Sequence, residues 1–399
     1  MKLVFLSNYF NHHQKSVSDA FYQKLGKNYV FIETARMTQE RINMGWSDID
    51  IPEYVKYYYE NKNKEVECQN LIDAADVIII GSAPNELIGS ALKSRKMVFR
   101  YSERPIKEKK DFWIKYPVRF FKWHLQNKRK YQVYLLCASA FSAYDYSRFG
   151  LFRNRMFKWG YFPETYHYDN INDILARKEK NSILWVARML PLKHPSHAIE
   201  IARRLCEDNL DFQLNMIGIG SEQQKIETLI HKYGLEEKVH LIGSVKPGEV
   251  RKYMEKSEIF LFTSDHNEGW GAVLNEAMNS ACAVVSNARI GSAPYLIQDK
   301  RNGLLYDEND IEKLYQNTKF LIQNREERRR LSYNAYNTIT NEWNAERAVE
   351  NFMLLVNKLQ KNDSKNERMF SGVCSCAEVI KDTWFNKSKR KIIRRIVLP

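Results

Sequence analysis

Short apolar runs alternate with amphipathic stretches along most of this chain. "KLVFLS", "YVFIE", "DVIIIG", "KMVFRYS" and "YQVYLLCAS" are continuous hydrophobic runs of strand length, and intervening segments such as "SVSDAFYQKLG" repeat at helical spacing. "RMFKWGYFP" closes this set near residue 165, after which "ETYHYDNINDILARKEKN" loses apolar periodicity and predicts a linker over 166–180. A second series follows, with strands at "SILWVAR", "FQLNMIGIG", "KVHLIGS", "IFLFTSD", "CAVVSN" and "NGLLY" and helices such as "PSHAIEIARRLCED" between them. Strands joined by helical crossovers predict βαβ units and parallel sheets. The expected architecture is α/β: two Rossmann-like doubly wound domains over 1–165 and 181–345, with a C-terminal helix and basic tail over 346–399. Open sheets of this kind bind ligands beyond the carboxyl ends of their strands. The loops after strands are therefore where chemistry is sought.

Composition narrows the classes. A chain of 399 residues exceeds what one core fills, since cores stop growing at about 250–300 residues. No apolar run approaches the roughly 18 residues of a membrane span. "LVFL" near the start is too short for a secretory leader, so the expected location is cytoplasmic. The six cysteines show no ligand spacing beyond Cys374-x-Cys376, and most sit inside apolar patterns, which favours buried thiols. A net charge of +14 points to a polyanionic partner: nucleic acid, an anionic membrane surface or a phosphorylated substrate.

The strand "IFLFTSD" runs into "NEGWG" and then a helix from about Ala272, which places Glu268 in a glycine-bearing turn and Glu276 inside the helix. Gly269 and Gly271 allow a ligand close to the backbone, and amides at the start of a helix suit anions or hydroxyl oxygens. Carboxylates so placed can accept hydrogen bonds from sugar hydroxyls. An arbitrary pair of glutamates at this spacing is more often a helix-dipole partner and a solvated side chain.

The wider context changes that balance. "TSDHNEGWGAVLNEAMNSACAVVSNARIGSAPYLI" resembles the signature region of retaining GT-B glycosyltransferases, family 4 (glycosyl transferases group 1), with its Glu, seven residues and Glu. "WVARMLPLKHP" is similar to the family's basic segment, and "NMIGIGSEQQKIETLIHKYGLEEKVHLIGSV" to its glycine-bearing strand end, helix and following strand. The resemblance is specific over about 182–310. It implies two Rossmann-like domains facing each other across a cleft, and a nucleotide-diphosphate sugar as substrate, without cofactor. It also implies that Arg188 and Lys193 clamp the diphosphate and take the place of a metal ion, Glu268 holds the transferred sugar beside the amides of Gly269, Trp270 and Gly271, Glu276 binds the ribose, and Gly218 and Gly220 lie near the nucleotide. The chain departs from the pattern at "SACAVVS", where Cys282 and Ala283 precede the valines, and at "GSAPYLI", where Tyr295 stands at a position often acidic.

On the acceptor side, His12 and His13 follow the first strand in what reads as a loop, either as surface residues or as contacts to acceptor or sugar. "RYSERP" is similar to stretches in bacterial surface-polysaccharide transferases; Glu103 could orient an acceptor hydroxyl, and Arg104 could meet phosphate or form a structural ion pair. "FWIKYPVRFFKWHLQNKRKYQ" mixes aromatic and basic residues and suits either an anionic leaflet or a core helix with solvated lysines, with Pro117 weakening the helix. The tail "KSKRKIIRRIVLP", with Lys387, Arg390, Lys391, Arg394 and Arg395, points to an anionic membrane surface on the inner face of the plasma membrane; no motif supports nucleic acid. The expected activity is transfer of a hexosyl group to a lipid-linked or saccharide acceptor in capsule or lipopolysaccharide synthesis. A nucleotide-sugar epimerase of the same fold and a non-catalytic membrane scaffold are the alternatives.

Overall fold

The first seven strands of the computed structural model are β1 (Leu3–Ser7), β2 (Tyr29–Glu33), β3 (Val55–Tyr57), β4 (Val77–Ile80), β5 (Met97–Ser102), β6 (Val133–Cys137) and β7 (Met156–Lys158). They form one sheet in the order β3-β2-β1-β4-β5-β6-β7, with every pairing parallel. Every position of β1, β4 and β6 is buried, which is why these strands read as unbroken apolar runs: helices cover both faces. The structure describes residues 1–43, 49–107, 109–128, 130–361 and 371–381.

Two compact units result, one comprising Met1–Pro163 and the chain from Ala345 onward, the other Glu164–Asn344. Helix Ala345–Gln360 thus belongs with the first unit. Its Phe352 ring lies 5.4 Å from Phe21, 4.7 Å from Phe99 and 5.9 Å from Trp159. Residues 374–377 then run antiparallel to β7, with Cys374 donating to Lys158, Lys158 to Ser375 and Ala377 to Met156, and so cover that sheet edge. The tail residues Lys387, Arg390, Lys391, Arg394 and Arg395 lie outside the described residues.

The second unit holds β8 (Glu179–Val186), β9 (Gln213–Ile217), β10 (Val239–Gly243), β11 (Ser257–Phe262), β12 (Ala283–Asn287) and β13 (Leu304–Tyr306), ordered β10-β9-β8-β11-β12-β13 and parallel throughout. Sequence order reverses between β8 and β11, the switch point at which doubly wound sheets bind ligands. Helix Pro195–Glu207 shows the packing rule clearly. Proline occupies its first turn, and Ala198, Ile199, Ile201, Ala202 and Leu205 form the stripe buried against the sheet.

Three expectations need correction. The stretch 166–180 is no free linker: Asn170 caps helix Ile171–Arg177, and Leu175 packs with Ala281 and Tyr336 beside Tyr168 and Ile171. A helix of about two turns offers too few apolar positions to show periodicity. Helix Lys109–Gln126 continues through Pro117, since Phe120 and Trp123 pack onto the first unit's core, Trp123 lying 4.8 Å from Phe149 and 5.2 Å from Tyr146. That burial offsets the hydrogen bond the proline removes. The histidine pair opens a helix, His12–Leu25, whose cap Asn11 accepts from the His13 amide. All six cysteines are free thiols, with Cys68, Cys137, Cys282 and Cys374 buried.

Candidate functional site

The loops leaving β8 and β9 lie against each other through their backbones. Ala187 donates to Ile217 (3.1 Å), Met189 to Ile219 (2.9 Å) and Glu222 to Met189 (2.9 Å). Glycine is required for this approach: a Cβ on Gly218 would lie 1.9 Å from the Ala187 carbonyl oxygen, and one on Gly220 would lie 2.4 Å from that of Met189. The glycines thereby fix the loop that carries Arg188, which is exposed.

That loop ends in a tight turn, Pro191–Lys193, tied to the loop after β11. Trp185 Nε1 donates to Thr263 Oγ1 (2.8 Å), Thr263 Oγ1 donates to the Lys193 carbonyl (2.7 Å), and the Asp265 amide donates to the Leu192 carbonyl (2.9 Å). Held in this way, the Lys193 ammonium pairs with the Glu268 carboxylate, and the two side chains are only 16% and 14% exposed.

The turn after Glu268 also needs its glycine. Gly271 has φ +83°, and a Cβ there would meet the Phe262 ring at 2.4 Å. Among the described residues, the amides of Gly269 and Gly271 donate to no protein acceptor. Trp270 was expected beside the sugar through its amide; its buried indole anchors the turn, donating to Asn275 Oδ1 (2.9 Å) and packing 6.0 Å from Trp343 and 6.2 Å from Tyr295. Tyr295, at the position where the resemblance leads one to expect an acid, stacks on Trp343 at 5.6 Å.

Glu276 sits in the first turn of helix Val273–Asn279. The residue keeps partial exposure while its carboxyl is enclosed; burial pushes the group up to about 7, with the Arg251 charge opposing. Arg251 donates to Asn279 Oδ1 (3.0 Å), Ser280 Oγ (3.3 Å) and the Glu164 carbonyl (3.2 Å), and lies 3.8 Å over the Tyr166 ring. The sequence reading did not single it out, because within "PGEVRKYMEK" it resembles any solvated helix cation.

Beside the turn, Asp265 accepts from the Asn267 amide (2.8 Å) and contacts His194 Nε2 at 3.3 Å, while His266 Nδ1 lies 2.9 Å from Glu308. Burial raises the Asp265 carboxyl, but His194, the Asn267 amide and His266 leave it below the ordinary range. Asp265, His266 and Glu308 could hold a metal ion, with ligand atoms all within 4.8 Å of one another. Glu308 is distant in sequence, so no spacing rule points to this set.

In the first unit, two of the acceptor candidates flank a tyrosine that the sequence reading missed. His13 stacks on Tyr161 at 5.5 Å, and Tyr161 Oη donates to Glu103 Oε1 (2.6 Å). His12 lies 4.0 Å from His13. Desolvation, with the nearby charges of His12 and Arg41, lowers His13 to about 3, so it is neutral at pH 7; burial also lowers His12. Of the two readings of Arg104, the structure shows the ion pair. The arginine is buried and bonds Asp145 through Nε (3.3 Å) and Nη2 (3.2 Å), 5.3 Å over the Phe141 ring, while Asp145 also accepts from the Ile106 amide (3.2 Å). A buried bidentate pair is the arrangement in which a desolvated guanidinium is tolerated.

Residues 168–338 match the family model of glycosyl transferases group 1. WcaL of Escherichia coli is 34% identical over 139 residues, 34% of each chain. The amylovoran biosynthesis glycosyltransferase AmsK of Erwinia amylovora is 34% identical over 137 residues, 33% of each chain. A Campylobacter jejuni relative named N-acetylgalactosamine-N,N'-diacetylbacillosaminyl-diphospho-undecaprenol 4-alpha-N-acetylgalactosaminyltransferase is 34% identical over 149 residues, 37% of this chain and 39% of its own. The chain thus spans about a third of the length of the curated relatives it matches. HepE of Anabaena, solved with UDP, superposes with a TM-score of 0.66 at 15% identity over 90% of this chain and all of its own. The pneumococcal O-GlcNAc transferase GtfA, solved with UDP and GlcNAc, also gives 0.66 at 10% identity, covering 90% and 99%. The two parallel sheets are those of the GT-B class.

Proposed function

We propose that this chain, whose residues 168–338 match the family model of glycosyl transferases group 1, moves a hexosyl group from a nucleoside-diphosphate sugar to a lipid-linked or saccharide acceptor in the synthesis of a surface polysaccharide. The observation that carries the reading is the Lys193–Glu268 pair at the β8/β11 switch point, within the segment that matches the family model. An ammonium has three protons. One meets Glu268, and the others serve the donor diphosphate together with Arg188, so positive charge stands where the leaving phosphate becomes more negative. Glu268 accepts from hydroxyls of the transferred sugar, the Gly269 and Gly271 amides face oxygen atoms beside it, and Glu276 accepts from the ribose.

The transfer retains configuration. The bond from the anomeric carbon to the phosphate oxygen breaks as a bond to the acceptor oxygen forms on the same face, and the departing phosphate takes the hydroxyl proton. No metal ion is used, because Arg188 and Lys193 supply the charge. The His13–Tyr161–Glu103 group serves the acceptor, with neutral His13 as a hydrogen-bond partner. The relatives named for amylovoran synthesis and for a diphospho-undecaprenol substrate support this acceptor class. The enzyme works at the cytoplasmic face of the membrane, and among the described residues no helix is long and apolar enough to cross it.

Incubating the full chain with a panel of nucleoside-diphosphate sugars and bacterial lipid extract tests this. Sugar transfer or slow donor hydrolysis is expected. Interconversion of donors would instead identify an epimerase, and no turnover of any donor a scaffold.

A further inference from the structure

Three of the exposed large apolar side chains of the first unit fall on one helix, Lys109–Gln126. Val118 is 72% exposed, Phe121 67% and Leu125 62%. At about 100° per residue these three and Lys122 fall within an arc of about 100°. Phe120 and Trp123, on the opposite side, pack onto the core. The helix is therefore anchored by one face and presents a second apolar face to solvent.

The surrounding charge is of one sign. No acid occurs between Phe112 and Tyr144, while Lys122, Lys128 and Lys130 are exposed at or just beyond the helix end. Arg119 is spent internally, donating to the Pro105 carbonyl at 3.0 Å and lying 5.8 Å over the Trp123 ring. Lysine is depleted from the interiors of protein–protein interfaces. An apolar stripe edged by lysine is instead the combination that holds a protein on an anionic bilayer, where apolar burial and headgroup attraction act together.

We propose that the Val118–Phe121–Leu125 face docks on an anionic lipid bilayer, these side chains entering the headgroup–acyl boundary while Lys122, Lys128 and Lys130 meet lipid phosphates. This surface is distant in sequence from the basic tail, and the inference does not depend on the sugar-transfer reading, because docking is measured without substrate.

Flotation of the full chain with vesicles of equal phosphatidylglycerol and phosphatidylcholine, against phosphatidylcholine alone, tests it. Binding to the anionic vesicles is expected, weakening as salt rises. The Phe121→Glu/Leu125→Glu variant should bind roughly tenfold more weakly or worse, and Lys122→Glu/Lys128→Glu several-fold more weakly. All four positions are exposed, so both variants should keep the wild-type melting temperature. Wild-type affinity in the Phe121→Glu/Leu125→Glu variant would assign docking to the tail and overturn the proposal. So would failure of the wild type to bind anionic vesicles, or a concentration-dependent dimer in lipid-free sedimentation that this variant abolishes.

Discussion

Lys193 and Glu268 are joined by an ion pair whose two halves come from different loops of one sheet, held by the Trp185–Thr263–Lys193 hydrogen-bond chain. If the ammonium serves the leaving phosphate, Lys193→Ala should lower the transfer rate by about 10²–10³, with a far smaller change in melting temperature. Glu268→Gln should lower it comparably while leaving nucleoside-diphosphate binding within a few-fold. Steady-state kinetics beside titration of the nucleotide alone separates the two effects.

Glu276 gives a pH signature in stability. Its carboxyl is raised by burial from the usual range to about 7, so the folded state favours the protonated form. The unfolded chain loses this proton near pH 4.5, and the folded chain holds it until about 7; stability therefore falls as pH rises through that window. Glu276→Gln removes the cost of burying charge. It should melt above the wild type at pH 8, by on the order of 1–3 kcal/mol, and the difference should vanish by about pH 4.5. Thermal melts across this range check it.

Arg104 distinguishes a structural cation from a phosphate ligand. Its bidentate bond to buried Asp145 implies that Arg104→Ala strands a carboxylate, costing about 3–5 kcal/mol. The Arg104→Met/Asp145→Leu double variant should recover most of that loss. Denaturant unfolding of the three proteins decides the matter; a stable Arg104→Ala with weakened substrate binding would return the arginine to the site.

Metal removal is informative because one cluster could bind an ion. Exhaustive chelation should leave the transfer rate unchanged. Loss of activity restored by a divalent cation would direct attention to Asp265, His266 and Glu308.

Much of this was legible in the chain itself, for a physical reason. Sheets covered on both faces require continuous apolar strands, and β1, β4 and β6 announce themselves as such. Strand β3 escaped notice because it is three residues long at a sheet edge, in a run of tyrosine and lysine without apolar continuity. Glu268 and Glu276 could be found because their spacing is local. The partners that give Arg104 and His13 their character, Asp145 and Tyr161, are far away in sequence, and only the sheet topology brings them close. Trp270 lies in the motif with its ring buried and bonded to Asn275, a packing role that spacing does not reveal.

The most direct test is calorimetric titration of a nucleoside-diphosphate sugar panel into the wild type and Glu276→Ala. At least one donor should bind the wild type and lose about tenfold or more in affinity in the variant, as expected when a hydrogen-bonded carboxylate is removed. Equal affinity in the two proteins, or no binding of any donor to the wild type, would contradict the assignment of this loop cluster to a nucleotide-linked sugar.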